Sequence, residues 1–122
     1  MPPVPPERPD YKSHPLWNEA MALAKAAYAV AEELAAREPE EARLLRKAAV
    51  TVPARVASAL SADESVTRGT DASEARAALD EVAARAGRLP TREGSSRELA
   101  RRARVLERSV ARVLGASRGF VC

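Results

Sequence analysis

Apolar residues recur along this chain at steps of three and four, the spacing of one face of an α-helix. Leu16, Ala20, Leu23, Ala27, Val30 and Leu34 form a first seam, flanked by Trp17, Ala24, Tyr28 and Ala31. The face is broader than a two-stranded coiled-coil seam. Its helix is predicted to start near Ser13–Pro15, where a capping residue precedes a proline suited to the first turn. A second seam, Leu45, Ala49, Val52, Val56 and Ala59, contains Pro53. An interior proline removes a backbone donor and presses on the preceding turn, at a cost of about 3 kcal/mol or more. A helix from about Glu40 to Leu60 that keeps Pro53 needs packing around the kink.

Residues 61–70 read as a polar connection containing Gly69. Asp71 with Glu74 resembles a capping box opening a third helix, with Ala75, Leu79, Val82, Ala86 and Leu89 as its seam and Gly87 and Pro90 at its end. Ser95 with Glu98 suggests a second capping box, followed by Leu99, Ala103, Leu106, Val110 and Val113; Gly115 suits the C-terminal cap. Four helices with short connections predict an all-α, antiparallel, up-down-up-down bundle. The domain layout is an arm over residues 1–13, a bundle over 14–115 and a tail over 116–122. The arm holds PPVPP and is expected to be extended or flexible.

Composition changes this picture in one respect. Alanine supplies 27 of 122 residues, and Leu, Val and Phe together only 23. So thin a supply of large apolar groups predicts a subunit that completes its core by association. Scarce strand formers leave helix favoured throughout.

The net charge of +3 is mild, but residues 97–118 carry seven arginines against two glutamates. Arg97, Arg101, Arg104, Arg108 and Arg112 follow at steps of four, three, four and four, opposite the apolar seam. Such a row can track a phosphate backbone by charge. A solvated face and a contact with an acidic partner protein are the competing readings. Only four aromatic residues occur, which argues against base stacking and for weakly sequence-specific backbone binding. Arg55 is a second-rank polyanion contact. Arg46 and Lys47 near Glu81 suggest an inter-helix ion pair that fixes register.

The single cysteine, Cys122, excludes an intrachain disulfide and a zinc cluster. The single histidine, His14, excludes a di-iron bundle site within one subunit and reads as a cap or surface residue. No nucleophile elbow, phosphate loop or metal spacing occurs, so no catalytic residue, metal or cofactor is expected. An enzyme is the least favoured class. With no signal-peptide pattern and no long apolar run, the expected compartment is the cytoplasm.

One resemblance adds to these expectations. LWNEAMALAKAAY, through Trp17, Ala20, Leu23, Ala24 and Tyr28, is similar to the opening of the four-helix-bundle protein family. That family includes proteins encoded in intervening sequences of bacterial large-subunit rRNA genes. It also includes the Avd accessory proteins of diversity-generating retroelements. Glu38-Pro39 and an acidic turn follow in the same order. Arg46 to Ala54, RKAAVTVPA, resembles the family's RRAAVSVPA, and Glu81 falls where a helix-3 glutamate is usual. The chain departs at Arg55, Ser58 and Ala59, where the family carries Asn, Glu and Gly. The resemblance covers residues 14–115. It implies a non-enzymatic subunit, a homo-oligomeric ring, usually a homopentamer, and RNA, DNA or a reverse transcriptase as partner. The alternative is a purely protein-binding structural oligomer with no nucleic-acid role.

Overall fold

Residues 10–89, 91 and 94–114 are described by a computed structural model of the chain. The proline-rich arm before Asp10, Pro90, Gly115, Phe120, Val121 and Cys122 lie outside them. A short 3-10 helix, Tyr11–Ser13, leads into four helices: α1 (Pro15–Leu34), α2 (Pro39–Ser61), α3 (Ser65–Arg88) and α4 (Ser95–Val113). No strand occurs among the described residues.

The entry to α1 follows its local chemistry. Pro15 takes the first helical position, where its missing N–H costs nothing. The His14 ring accepts from the Leu16 N–H through Nδ1 at 3.0 Å, so His14 is the cap. Tyr11 meets Trp17 edge-on, with ring centroids 5.5 Å apart, which fastens the incoming chain to the first turn. In α2, Pro39 again occupies the first turn, and Glu40 and Glu41 face the positive end of the helix dipole. Helix continues through Pro53, which is buried. The packing that a mid-helix proline requires is therefore present.

The four seams meet in one core. Leu23, Leu34, Leu45, Leu79 and Leu99 are its largest fully buried side chains, with Val52, Val56, Val82 and Val110. Buried alanines on every helix let the backbones approach closely. The core closes within one chain, so the thin leucine and valine supply does not leave it open. Among the described residues the large apolar side chains left exposed are Tyr28, Val50, Val66, Val105 and Val113.

Four local expectations are overturned. The polar connection over 61–70 is only Ala62 to Glu64, because α3 begins at Ser65 and carries Gly69 within it. Asp71 is consequently no cap. It lies in the second turn of α3, buried, and accepts the Ser58 hydroxyl at 2.6 Å. The cap of α4 is Gly94 at φ 73°, a left-handed conformation natural to glycine. Ser95 is the first helical residue, and Thr91 does the expected capping work: its Oγ1 accepts from the Ser96 N–H at 2.9 Å. Finally, Val113 is 45% exposed and Leu114 takes the last place in the α4 seam. The seam advances four residues from Val110 rather than three, and the larger side chain turns inward.

Candidate nucleic-acid interface

The α4 stripe is real as a surface. Arg97, Arg101, Arg104, Arg108 and Arg112 are all exposed, while Leu99, Ala103, Leu106 and Val110 on the opposite side are buried. The five arginines are not equivalent. Arg101 presents Nε and a terminal nitrogen to the two carboxylate oxygens of Glu98, one turn earlier. Arg104 bridges Asp80 of α3 and Glu107 of its own helix. These hydrogen bonds, to Glu98 for Arg101 and chiefly to Asp80 for Arg104, raise both guanidinium pKa values above the ordinary arginine value. In turn, the Arg101 guanidinium holds the Glu98 carboxyl below its usual value. Arg97, Arg108 and Arg112 have no acidic partner among the described residues. The free positive charge is thus at the two ends of the stripe, with a locally neutralised middle.

Arg55 does not stand free beside the α4 surface. Its Nε lies 2.9 Å from Glu74, and a terminal nitrogen 3.4 Å from Asp71. With the Ser58–Asp71 bond this makes a four-residue polar latch between α2 and α3. The register pair is also corrected. Glu81 bonds Arg85 of its own helix at 2.9 Å, and no pair of Arg46 or Lys47 with Glu81 forms. Arg85 instead crosses to Glu41 at 2.9 Å, joining the end of α3 to the start of α2. The spacing of residues along each helix could not choose between these partners, because the choice depends on helix rotation about the shared core.

Sequence reasoning passed over Arg102. It is half-buried and lines two clefts of about 290 and 280 Å³ between α1 and α4. Glu19 borders the first and Glu33 the second. Its signal was its position: one step from Arg101, it leaves the stripe by about 100° and faces α1.

A third concavity, of about 370 Å³, lies between α1 and α2 and is lined by Met21, Ala24, Lys25, Tyr28, Val50 and Pro53. Among the described residues no group of three or more His, Cys, Asp or Glu side chains is placed to hold a metal ion. No helix among them is long and apolar enough to cross a membrane.

Compared with protein-family models, with curated proteins and with solved structures, the chain matches none.

Proposed function

We propose that this protein is a non-catalytic, cytoplasmic scaffold that holds RNA or DNA by its phosphate backbone through the outer face of α4. The observation that carries this reading is the exposed arginine row of α4, in which Arg97, Arg108 and Arg112 lack acidic partners among the described residues. Phosphate oxygens supply the hydrogen-bond acceptors that these guanidinium groups do not find within the chain. They can also displace the exposed carboxylate of Glu98 from Arg101 at little cost, because exposed pairs are weak. The helices take the antiparallel up-down-up-down order. In support, Glu41 at the start of α2 reaches Arg85 near the end of α3, and Ser58 near the end of α2 reaches Asp71 near the start of α3. The family resemblance adds a homo-oligomeric ring, a homopentamer in its usual form, and a reverse transcriptase as the protein partner.

The test is a gel shift against single-stranded and duplex nucleic acid across a salt series. Affinity should fall steeply with salt, as counterion release requires. Joint replacement of Arg97, Arg108 and Arg112 with Gln should abolish retention while the mass in solution stays the same. Retention of the triple variant at low salt, equal to that of the parent, would sink the reading. A second reading, a purely protein-binding oligomer, draws on the locally paired Arg101 and Arg104 and on the apolar α1–α2 concavity. It requires a mass above the monomer after nuclease treatment and no shift at any salt concentration.

A further inference from the structure

The concavity between α1 and α2 has no role in the nucleic-acid reading, and its chemistry is different. Tyr28 and Val50 stand 46% and 49% exposed on its walls, and Ala24 and Pro53 are buried beneath them. Lys25 is its one charged lining residue, and α4 contributes nothing to it. A tyrosine with an exposed ring beside an exposed valine is the composition of a contact surface, since the ring offers apolar area and a polar tip together.

The α1 wall carries a pattern that fits itself. Met21, Lys25, Tyr28 and Glu32 follow at steps of four, three and four, so they share one face of the helix. Lys25, Tyr28 and Glu32 are exposed, and Met21 is half-buried. Neither Lys25 nor Glu32 makes an ion pair among the described residues. The two charges are opposite in sign and about 10.5 Å apart along the axis, with Tyr28 between them.

Such a stripe is its own complement. When a second α1 lies antiparallel to the first, about a two-fold axis passing beside Tyr28, each Lys25 comes level with Glu32 of the other copy. The two Tyr28 rings then meet near the axis, flanked by Val50 of each copy. A parallel pair in the same register would set lysine on lysine and glutamate on glutamate, and like charges repel. Two-fold contacts use one patch twice, which is what a self-complementary stripe provides. A foreign partner would have to reproduce this order of cation, apolar group and anion; the chain already carries it.

We propose that two copies of this chain pair across the α1–α2 trough about a two-fold axis, with Tyr28 and Val50 of both copies in the apolar centre and Lys25 of each copy paired with Glu32 of the other. The contact closes after two copies, so it differs from the head-to-tail contact that a ring uses. It rests on the self-association that the functional reading includes, and not on its nucleic-acid step.

The experiment is sedimentation equilibrium of the nuclease-treated full chain with Cys122→Ser, across a concentration series. The parent should form a two-copy species. Lys25→Glu and Glu32→Lys, each alone, put like charges across the axis and should weaken pairing about tenfold or more. Both substitutions in one chain should restore it. An equimolar mixture of the two single variants should also pair, because every charge contact in the mixed pair is again between opposite signs. No effect within one chain reproduces that result. Tyr28→Ser with Val50→Ser should abolish pairing while the far-ultraviolet circular dichroism stays helical; the charge variants decide the question if this double variant unfolds. Joint replacement of Arg97, Arg108 and Arg112 with Gln should leave pairing unchanged. A monomer at every concentration overturns the proposal, and so does a mixture of the single variants that stays unpaired. A mass above the monomer that ignores both Lys25→Glu and Glu32→Lys overturns it too, and leaves the ring and the nucleic-acid reading standing.

Discussion

Arginine does two different jobs on the two sides of α3. Toward α2, Arg55 and Arg85 reach across to carboxylates on the facing helix, and Asp71 is buried with a hydroxyl and a guanidinium to satisfy it. Toward α4, Arg101 satisfies itself on its own helix in full contact with water, and Arg104 reaches the exposed Asp80 of α3 and the half-buried Glu107 of its own helix. In the first set Asp71 is buried and the Arg85–Glu41 pair is partly shielded, whereas Arg55 and Glu74 are themselves exposed. A lost partner at Asp71 leaves a buried carboxylate short of a bond, which is costly. The second set lies where water and salt replace any partner at once. The α2–α3 pairs therefore fix helix rotation and register, whereas the α4 arginines stay exchangeable.

The comparison breaks most visibly in the shared core. Leu79→Ala on α3 removes a fully buried side chain from between the helices and should cost about 2–5 kcal/mol in denaturant unfolding. A smaller effect is expected at the latch. Ser58→Ala strips the buried Asp71 carboxylate of its shortest hydrogen bond and should cost about 1–3 kcal/mol by the same measurement. If it costs nothing, water or Arg55 takes over the hydroxyl's place, and the α2–α3 pairs are no different from the α4 ones. Arg85→Met keeps the alkyl packing, removes the Glu41 cross-link and should cost about 1 kcal/mol. Joint replacement of Arg97, Arg108 and Arg112 with Gln should leave the melting temperature unchanged within error, since surface substitutions of this kind are near neutral. All of its effect should appear in nucleic-acid retention.

Acid sharpens the same contrast. Glu98 has its pKa lowered by the Arg101 hydrogen bond, and Glu40 by that of Arg43. A lowered carboxyl pKa gives an interaction that is complete above the unfolded value and disappears as pH falls through the folded one. As pH falls below the ordinary glutamate range and through the lowered value of Glu98, its carboxylate takes up a proton and Arg101 is released. Retention of a phosphate backbone at fixed salt should then rise, while the pairs that vanish are too exposed to change the unfolding curve much. Retention that falls in this range would mean that the Glu98 carboxylate supports the bound state.

The apolar seams were legible in the sequence because helix periodicity is a local property. Every member of the α2 seam, including Val52 and Val56 around Pro53, is fully buried. The arginine stripe was legible for the same reason, since a helix puts residues three and four apart on one face whatever surrounds it. The partners of those arginines were not. Glu98 is local to Arg101, but Asp80 reaches Arg104 only because α3 lies beside α4. Likewise, Gly69 and the Asp71–Glu74 spacing point locally to a connection and a cap, whereas α3 starts at Ser65. In the folded chain Asp71 is held by Ser58, and Arg68 donates to the Ala62 carbonyl at 3.3 Å. Such tertiary bonds offset weak local preference for helix.

By itself, the sequence determined an all-α chain, the inward faces of its four helices and a band of arginine on the last. Each of these depends on spacing within a dozen residues and on the polarity of single side chains. Tertiary structure alone decided which charges are spent and which stay free, that Arg55 locks α2 to α3, that Arg85 rather than Arg46 or Lys47 crosses between them, and that Tyr28 and Val50 wall an apolar trough. These outcomes depend on how each helix is rotated about a core shared with residues far away in the chain, and no local pattern carries that rotation.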